Sequence, residues 1–402
     1  MDKKDVMKIK LLGKNLDELK RLVAEEGLPG FTAKQIAQWL YVKKVRSIDE
    51  MTNLSKAARA KLAEKYEVGV TPYAGLQISS DGTKKYLFPV KCSHKRGLNV
   101  HVAEEELETS AIEAVMIPDD DRATLCVSSQ AGCRMGCKFC MTGRQGFHGH
   151  MSAADIISQF IAVDESDRLT NAVFMGMGEP LDNYENVMRT IEILTADWGF
   201  GWSPKRITLS TIGVLPNLKR YLDECKCHLA VSLHNPFGPE RKEMMPMQAA
   251  WPVQEVIDLI KKYDFTGQRR VSFEYTMFAG FNDSKVHADA LVRMLKGLEC
   301  GMDLNRCHKI PDFPPPPIIS PCVDIAMMMV VTADEDCNSA VKIIPNNNNK
   351  KGLLIELKKL VTSGIVLYPL IESDIISKPK KTSPNPASAK PMDLILSSFE
   401  SI

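Results

Sequence analysis

The sequence predicts an α/β protein, a partial, mostly parallel (β/α)6-type barrel preceded by a small N-terminal helical domain. Between residues 123 and 304 short apolar runs alternate with segments of helical periodicity. Strand–helix repetition of this kind demands crossover helices and a parallel sheet. Before residue 70 the apolar residues instead recur at three- and four-residue spacing, without strand-like runs between them. The stretches rich in Cys, Gly, Ser and His fall just after the predicted strands, where α/β barrels place their ligands.

With 402 residues the chain exceeds an average domain of roughly 100–200, so one large domain with smaller appendages is expected. Lys and Arg total 51 against 50 Asp and Glu. That balance gives no global basic field, and binding to nucleic acid would have to come from local patches. The 11 Cys lack disulfide-like spacing, the basic N-terminus is followed by no apolar signal region, and no run of eighteen apolar residues occurs. A soluble, cytoplasmic protein without membrane association is expected, in a reducing compartment where clustered thiols serve metal or redox chemistry.

Residues 1–70 read as the helical domain. Leu16, Leu19, Leu22 and Val23, then Ile36, Trp39 and Leu40, then Leu54, Leu62 and Tyr66 mark three helices, with Asn15, Thr32 and Ser55 as expected N-caps and Gly27-Leu28-Pro29-Gly30 as a break. Lys10, Lys14, Lys20, Arg21, Lys34, Lys43, Lys44 and Arg46 give this domain a basic face, suited to a phosphate backbone or simply solvated. Residues 71–118 read as a β-hairpin linker with a turn at Ser79-Ser80-Asp81-Gly82-Thr83, an inserted charged loop at 91–109, and a strand over 111–118 with Glu113 at its start. Another strand, 123–128, leads into a loop rich in Cys.

Residues 119–308 form the predicted barrel. Helices are expected at 152–163, 184–195, around Leu218, at 253–263 and at 285–298; strands are expected at 171–175, 206–210, 227–233, 271–277 and 302–304. In 309–402 the texture changes, with a proline run at 314–317, an asparagine run at 346–349 and a Lys-, Pro- and Ser-rich stretch at 373–391. This region is predicted to be divergent and partly disordered, with one amphipathic helix at 353–361 and no evident strand to close the barrel.

The loop after residue 128 carries the chemistry. Cys133-Arg134-Met135-Gly136-Cys137-Lys138-Phe139-Cys140 places three thiols at spacings of four and three. A structural zinc site wants four protein ligands, whereas a cubane cluster held by three thiolates leaves one iron open. Gly132 and Gly136 let the backbone fold tightly enough for the sulfurs to converge. A zinc knuckle completed by His148 or His150 is the alternative. Together with Gly176-Met177-Gly178-Glu179-Pro180, the pattern resembles the radical S-adenosylmethionine superfamily. That likeness implies the radical SAM form of the barrel, one 4Fe-4S cluster held by Cys133, Cys137 and Cys140, and S-adenosyl-L-methionine chelated at the open iron.

The run from Asp121 through Cys126, Ser128-Ser129-Gln130-Ala131-Gly132-Cys133 and Cys140 to Gly146-Phe147 is more specific. It resembles the dual-specificity RNA adenine C2-methyltransferase family, and the likeness extends from about residue 10 to His308 apart from the 91–109 insert. It implies methylation of adenine C2 in 23S rRNA and in tRNA near the anticodon, and a monomer served by an electron donor such as flavodoxin or ferredoxin. One S-adenosylmethionine first methylates a C-terminal cysteine; a radical made from a second takes hydrogen from that methyl. The carbon radical attacks adenine, and a second thiol attacks the methylcysteine, releasing product and leaving a disulfide.

By this resemblance Cys126 is the resolving thiol and Glu113 accepts the C2 proton, where a core cysteine and a surface glutamate are the plainer readings. Gly178 and Glu179 hold the methionine end of the nucleotide; Ser210, Ser232, Leu233 and His234 are adenosyl contacts; His308 stands where the family commonly has an Asn near the cofactor. The methyl carrier has no good match. Cys337 is the late candidate, so a cluster-containing RNA-binding protein, or a radical enzyme with impaired methyl transfer, is the alternative expectation.

Overall fold

The computed structural model describes residues 8–93, 107–119, 121–265, 267, 269–278, 280–307 and 365–369. The chain forms two compact units, Met1–Leu229 and Ala230–Ile402.

The first unit begins with β1 (Ile9–Lys10), α1 (Leu16–Glu25), α2 (Thr32–Ala37), α3 (Lys56–Lys65) and β2 (Tyr66–Glu67), with β1 and β2 paired in parallel. Asn15 caps α1 in a reciprocal box: its side chain accepts from the Glu18 amide, and Glu18 accepts from the Asn15 amide. Leu19, Leu22 and Val23 form the buried stripe of this helix. Ser55 caps α3 as expected, but Thr32 is the first helical residue rather than a cap. Its own amide already donates to Pro29 O, so the turn starts earlier, on the Pro29-Gly30 break.

Part of the basic face expected here is spent inside the unit. Lys10 pairs with Asp155, Lys44 with Asp167 and the Ser166 carbonyl, Lys20 with Asp17, and Arg46 donates to the Ile161 carbonyl. Arg189 adds an ion pair to Glu18, and Tyr41 lies 5.8 Å from the Trp198 ring. Apart from the Lys20–Asp17 pair within α1, these contacts seat the helices on residues 155–198. Lys34 and Lys43 stay exposed.

Next come β3 (Gly75–Ile78), β4 (Lys84–Ser93), β5 (Leu107–Asp119), β6 (Arg122–Cys126), β7 (Gln130–Gly132), α4 (Met141–Arg144), β8 (Phe147–His150), α5 (Ala153–Ala162), β9 (Asn171–Phe174), α6 (Tyr184–Thr195), β10 (Ile207–Thr211) and α7 (Leu215–Glu224). The sheet runs β3-β4-β5-β6-β9-β10. Its first four strands are an antiparallel meander, and β6, β9 and β10 are parallel. The 91–109 stretch is not simply a loop: Lys91 pairs with Thr109, Cys92 with Glu108 and Ser93 with Leu107, so its ends prolong the hairpin, and Glu113 sits mid-strand rather than at a strand's start.

Strand alternation sorts this sheet into two faces. Tyr86, Phe88, Ile112, Ala114, Leu125, Ala172 and Phe174 share one face and are fully buried. Tyr86 ends in a hydrogen bond to Glu165 after α5, and Phe160 of α5 packs edge-on to Phe200 and Trp202. Burying each such aromatic contributes about 1.5–3 kcal/mol. The opposite face carries Lys85, Glu113, Val115, Cys126 and Val173.

The second unit holds the remainder of β11 (His228–Ser232), α8 (Gly238–Met244), α9 (Val253–Ile260), β12 (Val271–Phe278), α10 (Lys285–Leu295), β13 (Cys300–Cys307) and β14 (Ile365–Pro369), with strand order β11-β12-β13-β14. β12, β13 and β14 are parallel, with Glu274 opposite Asp303 and Cys300 opposite Ile365. β14 corrects the expectation that the region beyond 309 offers no further strand. Its sequence, Ile-Val-Leu-Tyr-Pro, has strand character, but the composition around it conceals that. His308, Cys337, the 353–361 helix and the disorder expected in 309–402 fall outside the described residues.

Candidate active site

The cysteine loop is closed by hydrogen bonds from the Cys133 amide to Gly146 O, 2.8 Å, and from the Cys140 amide to Cys137 O, 3.1 Å. Gly132 sits at φ +70°, with Gly146 O where a Cβ would stand, so only glycine lets the loop's two ends meet. Cys133, Cys137 and Cys140 are all partly exposed, and none is in a disulfide. Burial pushes the Cys133 thiol up to about 12, so binding a metal there must displace a proton.

Three soft sulfur donors on one loop suit an iron–sulfur cluster. Among the described residues no group of three or more His, Cys, Asp or Glu, the three loop thiols included, is already gathered to hold a metal ion. The two histidines of the zinc alternative are turned elsewhere. His148 faces the Gln145 carbonyl, and both ring nitrogens of His150 face donors, Gln130 and Arg134. Burial, more than the nearby Arg134 charge, lowers the His150 pKa and favours the neutral ring, which accepts at only one of these two nitrogens.

Sequence reasoning missed the residues that tie this loop to the Gly-Met-Gly-Glu-Pro turn. Gln130 is the hub: its Oε1 accepts from the Glu179 amide at 2.9 Å, and its Nε2 donates to Asp182 at 2.7 Å. Asp182 also pairs with Arg134, 2.9 Å, whose guanidinium lies 4.0 Å over the Phe147 ring. Gly178, at φ +101°, lies against Gln130, whose Cβ would be 2.5 Å from any added Cβ.

Glu179 is 3% exposed. Its carboxylate accepts from Thr211 Oγ1 at 2.6 Å, the Ile212 amide at 2.9 Å and the Leu181 amide at 3.0 Å. Burial outweighs these donors and pushes its pKa up to about 7. The residue therefore locks the turn after β9 to the end of β10 with most of its acceptor capacity. Ser210, next to Thr211, is 8% exposed.

Ser128 joins a third element. Its hydroxyl donates to the Glu113 carbonyl at 2.6 Å and accepts from the Met177 amide at 2.9 Å. Register then places Glu113 near Cys126, because Val115, two residues on from Glu113, pairs directly with Cys126. Residues so related on one sheet face have Cβ atoms roughly 7–8 Å apart. Lys85, which no motif flagged, pairs with Val115 from the other side and reaches Glu113 Oε1 at 3.2 Å.

In the second unit Ser232, Leu233 and His234 close β11 under tight control. The Ser232 hydroxyl donates to Glu274 Oε2 at 2.8 Å, and the amides of Leu233 and His234 donate to the Glu274 carbonyl. Arg241, 1% exposed, donates to the carbonyls of Ser232 and Leu233. His234 is held at φ +55°, where its Nδ1 accepts from the Thr276 amide at 3.0 Å. Burial first, and the Arg241 charge second, push its pKa down to about 3, so the ring is neutral with its proton on Nε2. Asp303, opposite Glu274, is pushed up to about 7 by burial and then by that neighbouring carboxylate.

The family described as the radical SAM superfamily matches residues 127–291, and the ribosomal RNA large subunit methyltransferase N-terminal domain matches 9–68. A probable dual-specificity RNA methyltransferase RlmN of Porphyromonas gingivalis is 53% identical over 304 residues, 76% of this chain and 82% of the relative. The corresponding protein of Bacteroides thetaiotaomicron is 52% identical over 76% of this chain and 84% of its own length. The crystal structure of a radical SAM methyltransferase from Sphaerobacter thermophilus superposes with a TM-score of 0.68 at 32% identity, covering 90% of this chain and 94% of that one. No helix among the described residues is long and apolar enough to cross a membrane.

Proposed function

Because the chain belongs to the dual-specificity RNA methyltransferase family of the radical S-adenosylmethionine superfamily, we propose that it methylates carbon 2 of adenine in 23S rRNA and in tRNA near the anticodon. The observation that carries this reading is the meeting of Glu113 and Cys126 on one face of the β5–β6 pair. Carbon 2 is not nucleophilic, so polar methyl transfer does not reach it. A 4Fe-4S cluster with S-adenosylmethionine would supply, when bound, an electron and a carbon radical able to take hydrogen from a methyl group.

Cys133, Cys137 and Cys140 would hold that cluster as thiolates. Gly178 and Glu179 would hold the methionine end of the nucleotide; Ser210, Ser232, Leu233 and His234 would contact its adenosyl end, as would His308. Glu113 would take the C2 proton as the covalent RNA–protein adduct gives up the electron supplied at the start; the Cys126 thiolate would then attack the carrier sulfur, the sulfur–carbon bond breaking as the disulfide forms, and the released carbon would take a proton to become the methyl group of the product. Cys337 is the carrier candidate. The protein would work in the cytoplasm as a monomer, reduced by flavodoxin or ferredoxin, with the exposed Lys34 and Lys43 of the N-terminal region helping to grip RNA.

The test is anaerobic reconstitution with iron and sulfide, then reduction with S-adenosylmethionine and either an rRNA fragment or tRNA. Mass spectrometry of the digested RNA should find 2-methyladenosine. Deoxyadenosine without any methylated nucleoside would refute the proposed activity.

A further inference from the structure

Lys84 and Lys85 are neighbours in sequence, yet strand alternation sends them to opposite faces of β4, and each finds a different acid. Lys84 pairs with Glu165 at 2.5 Å and with Asp164 at 3.4 Å, on the helix-covered face. Lys85 reaches Glu113 at 3.2 Å on the face that carries Cys126. In the second pair the exposure is unequal: the Lys85 side chain is 14% exposed and that of Glu113 39%. An ammonium so enclosed is costly without an opposite charge, and the carboxylate keeps its open side free for a substrate. A pair between two exposed side chains would fix little; here the more enclosed partner is the lysine, which acts as a fixed anchor behind the acid.

Register supplies the other half of the argument. Lys85, Val115 and Cys126 form one row across β4, β5 and β6, and Glu113 lies one same-face position along β5 from that row. The Glu113 main chain is already held by the Ser128 hydroxyl. What remains free is the swing of its side chain, and the Lys85 ammonium is the group that stops it.

Resting on the role proposed above for Glu113, we propose that Lys85 is the positioning residue for that carboxylate, holding it toward the substrate-facing side beside Cys126 so that it meets the C2 proton of the adduct. Lys85 acts after radical generation and through Glu113 alone.

The test compares Lys85→Met, Lys85→Arg, Glu113→Gln and the Lys85→Met/Glu113→Gln double variant in the full-length, reconstituted protein. Lys85→Met should form deoxyadenosine at the wild-type rate while 2-methyladenosine formation falls by about 10²-fold, in the range of a lost general base. Lys85→Arg should recover most of that loss, and the double variant should be no slower than Glu113→Gln, as expected for residues acting as a unit. Equal losses of deoxyadenosine and methylated product in Lys85→Met, or independent, multiplying losses in the double variant, would overturn the proposal. If Glu113→Gln retains full methylation, the reading of Glu113 fails, and that of Lys85 with it. A crystal structure of Lys85→Met needs no turnover: a displaced or multiply placed Glu113 carboxylate is expected, and an unmoved one would overturn the inference even if methylation is slow in the parent protein.

Discussion

The Ser128 hydroxyl donates to the Glu113 main-chain carbonyl at 2.6 Å while accepting from the Met177 amide at 2.9 Å. One oxygen thereby couples the strand of the proposed base to the turn that would hold the cofactor. Ser128 is fully buried, so Ser128→Ala strands two polar groups and should lower stability by about 1–3 kcal/mol. Urea unfolding checks this, and a midpoint unchanged from the parent would show that the bridge is not maintained in solution.

Glu179 should give the protein a distinctive pH dependence. Burial raises its pKa from 4.5 to about 7, so between those values the folded protein keeps a proton that the unfolded chain releases. Its contribution to stability is present below pH 4.5 and is lost as pH rises through about 7. Glu179→Gln removes this dependence, and its amide places a donor against Ile212 N or Thr211 Oγ1. Denaturation of the metal-free protein across this window should show the parent losing stability relative to the variant as pH rises; parallel curves would contradict it.

Gly178 has no room for a methyl group, since a Cβ would lie 2.5 Å from that of Gln130 and the backbone is at φ +101°. Gly178→Ala should therefore displace the Gln130–Glu179 hydrogen bond and abolish detectable S-adenosylmethionine binding in equilibrium dialysis. Folding should survive, at a cost of about 1–3 kcal/mol for the strained backbone.

Arg241 spends its charge on the carbonyls of Ser232 and Leu233. Arg241→Met removes the donors but keeps an apolar stem. It should destabilise the protein by about 1–3 kcal/mol per stranded carbonyl and weaken S-adenosylmethionine binding. Differential scanning calorimetry and dialysis test the two effects separately.

The cysteine loop and the Gly-Met-Gly-Glu-Pro turn were legible in the sequence because each lies within one short stretch, where spacing alone conveys geometry. The strand–helix alternation was legible for the same reason: α6 and β9 fall where periodicity puts them. The partners of Glu179 were not, since Thr211 and Ile212 belong to a different strand end and only the fold delivers their donors. Nor was Lys85, an unremarked residue in a charged hairpin until the β4–β5 register sets it behind Glu113. For the basic N-terminal residues charge alone left a phosphate partner and a solvated face both open, and the fold adds that Lys10, Lys44 and Arg46 have acceptors in the same unit.

The most direct test of the proposed chemistry is Cys126→Ala, reconstituted and incubated with S-adenosylmethionine, reductant and labelled RNA, then resolved under denaturing conditions. With Glu113 intact but no thiol to take the carrier sulfur, the RNA should remain covalently attached to the protein, with little free 2-methyladenosine. Release of 2-methyladenosine at the parent rate, with no attached RNA, would contradict the assignment of this sheet face as the place where the methyl group is handed over.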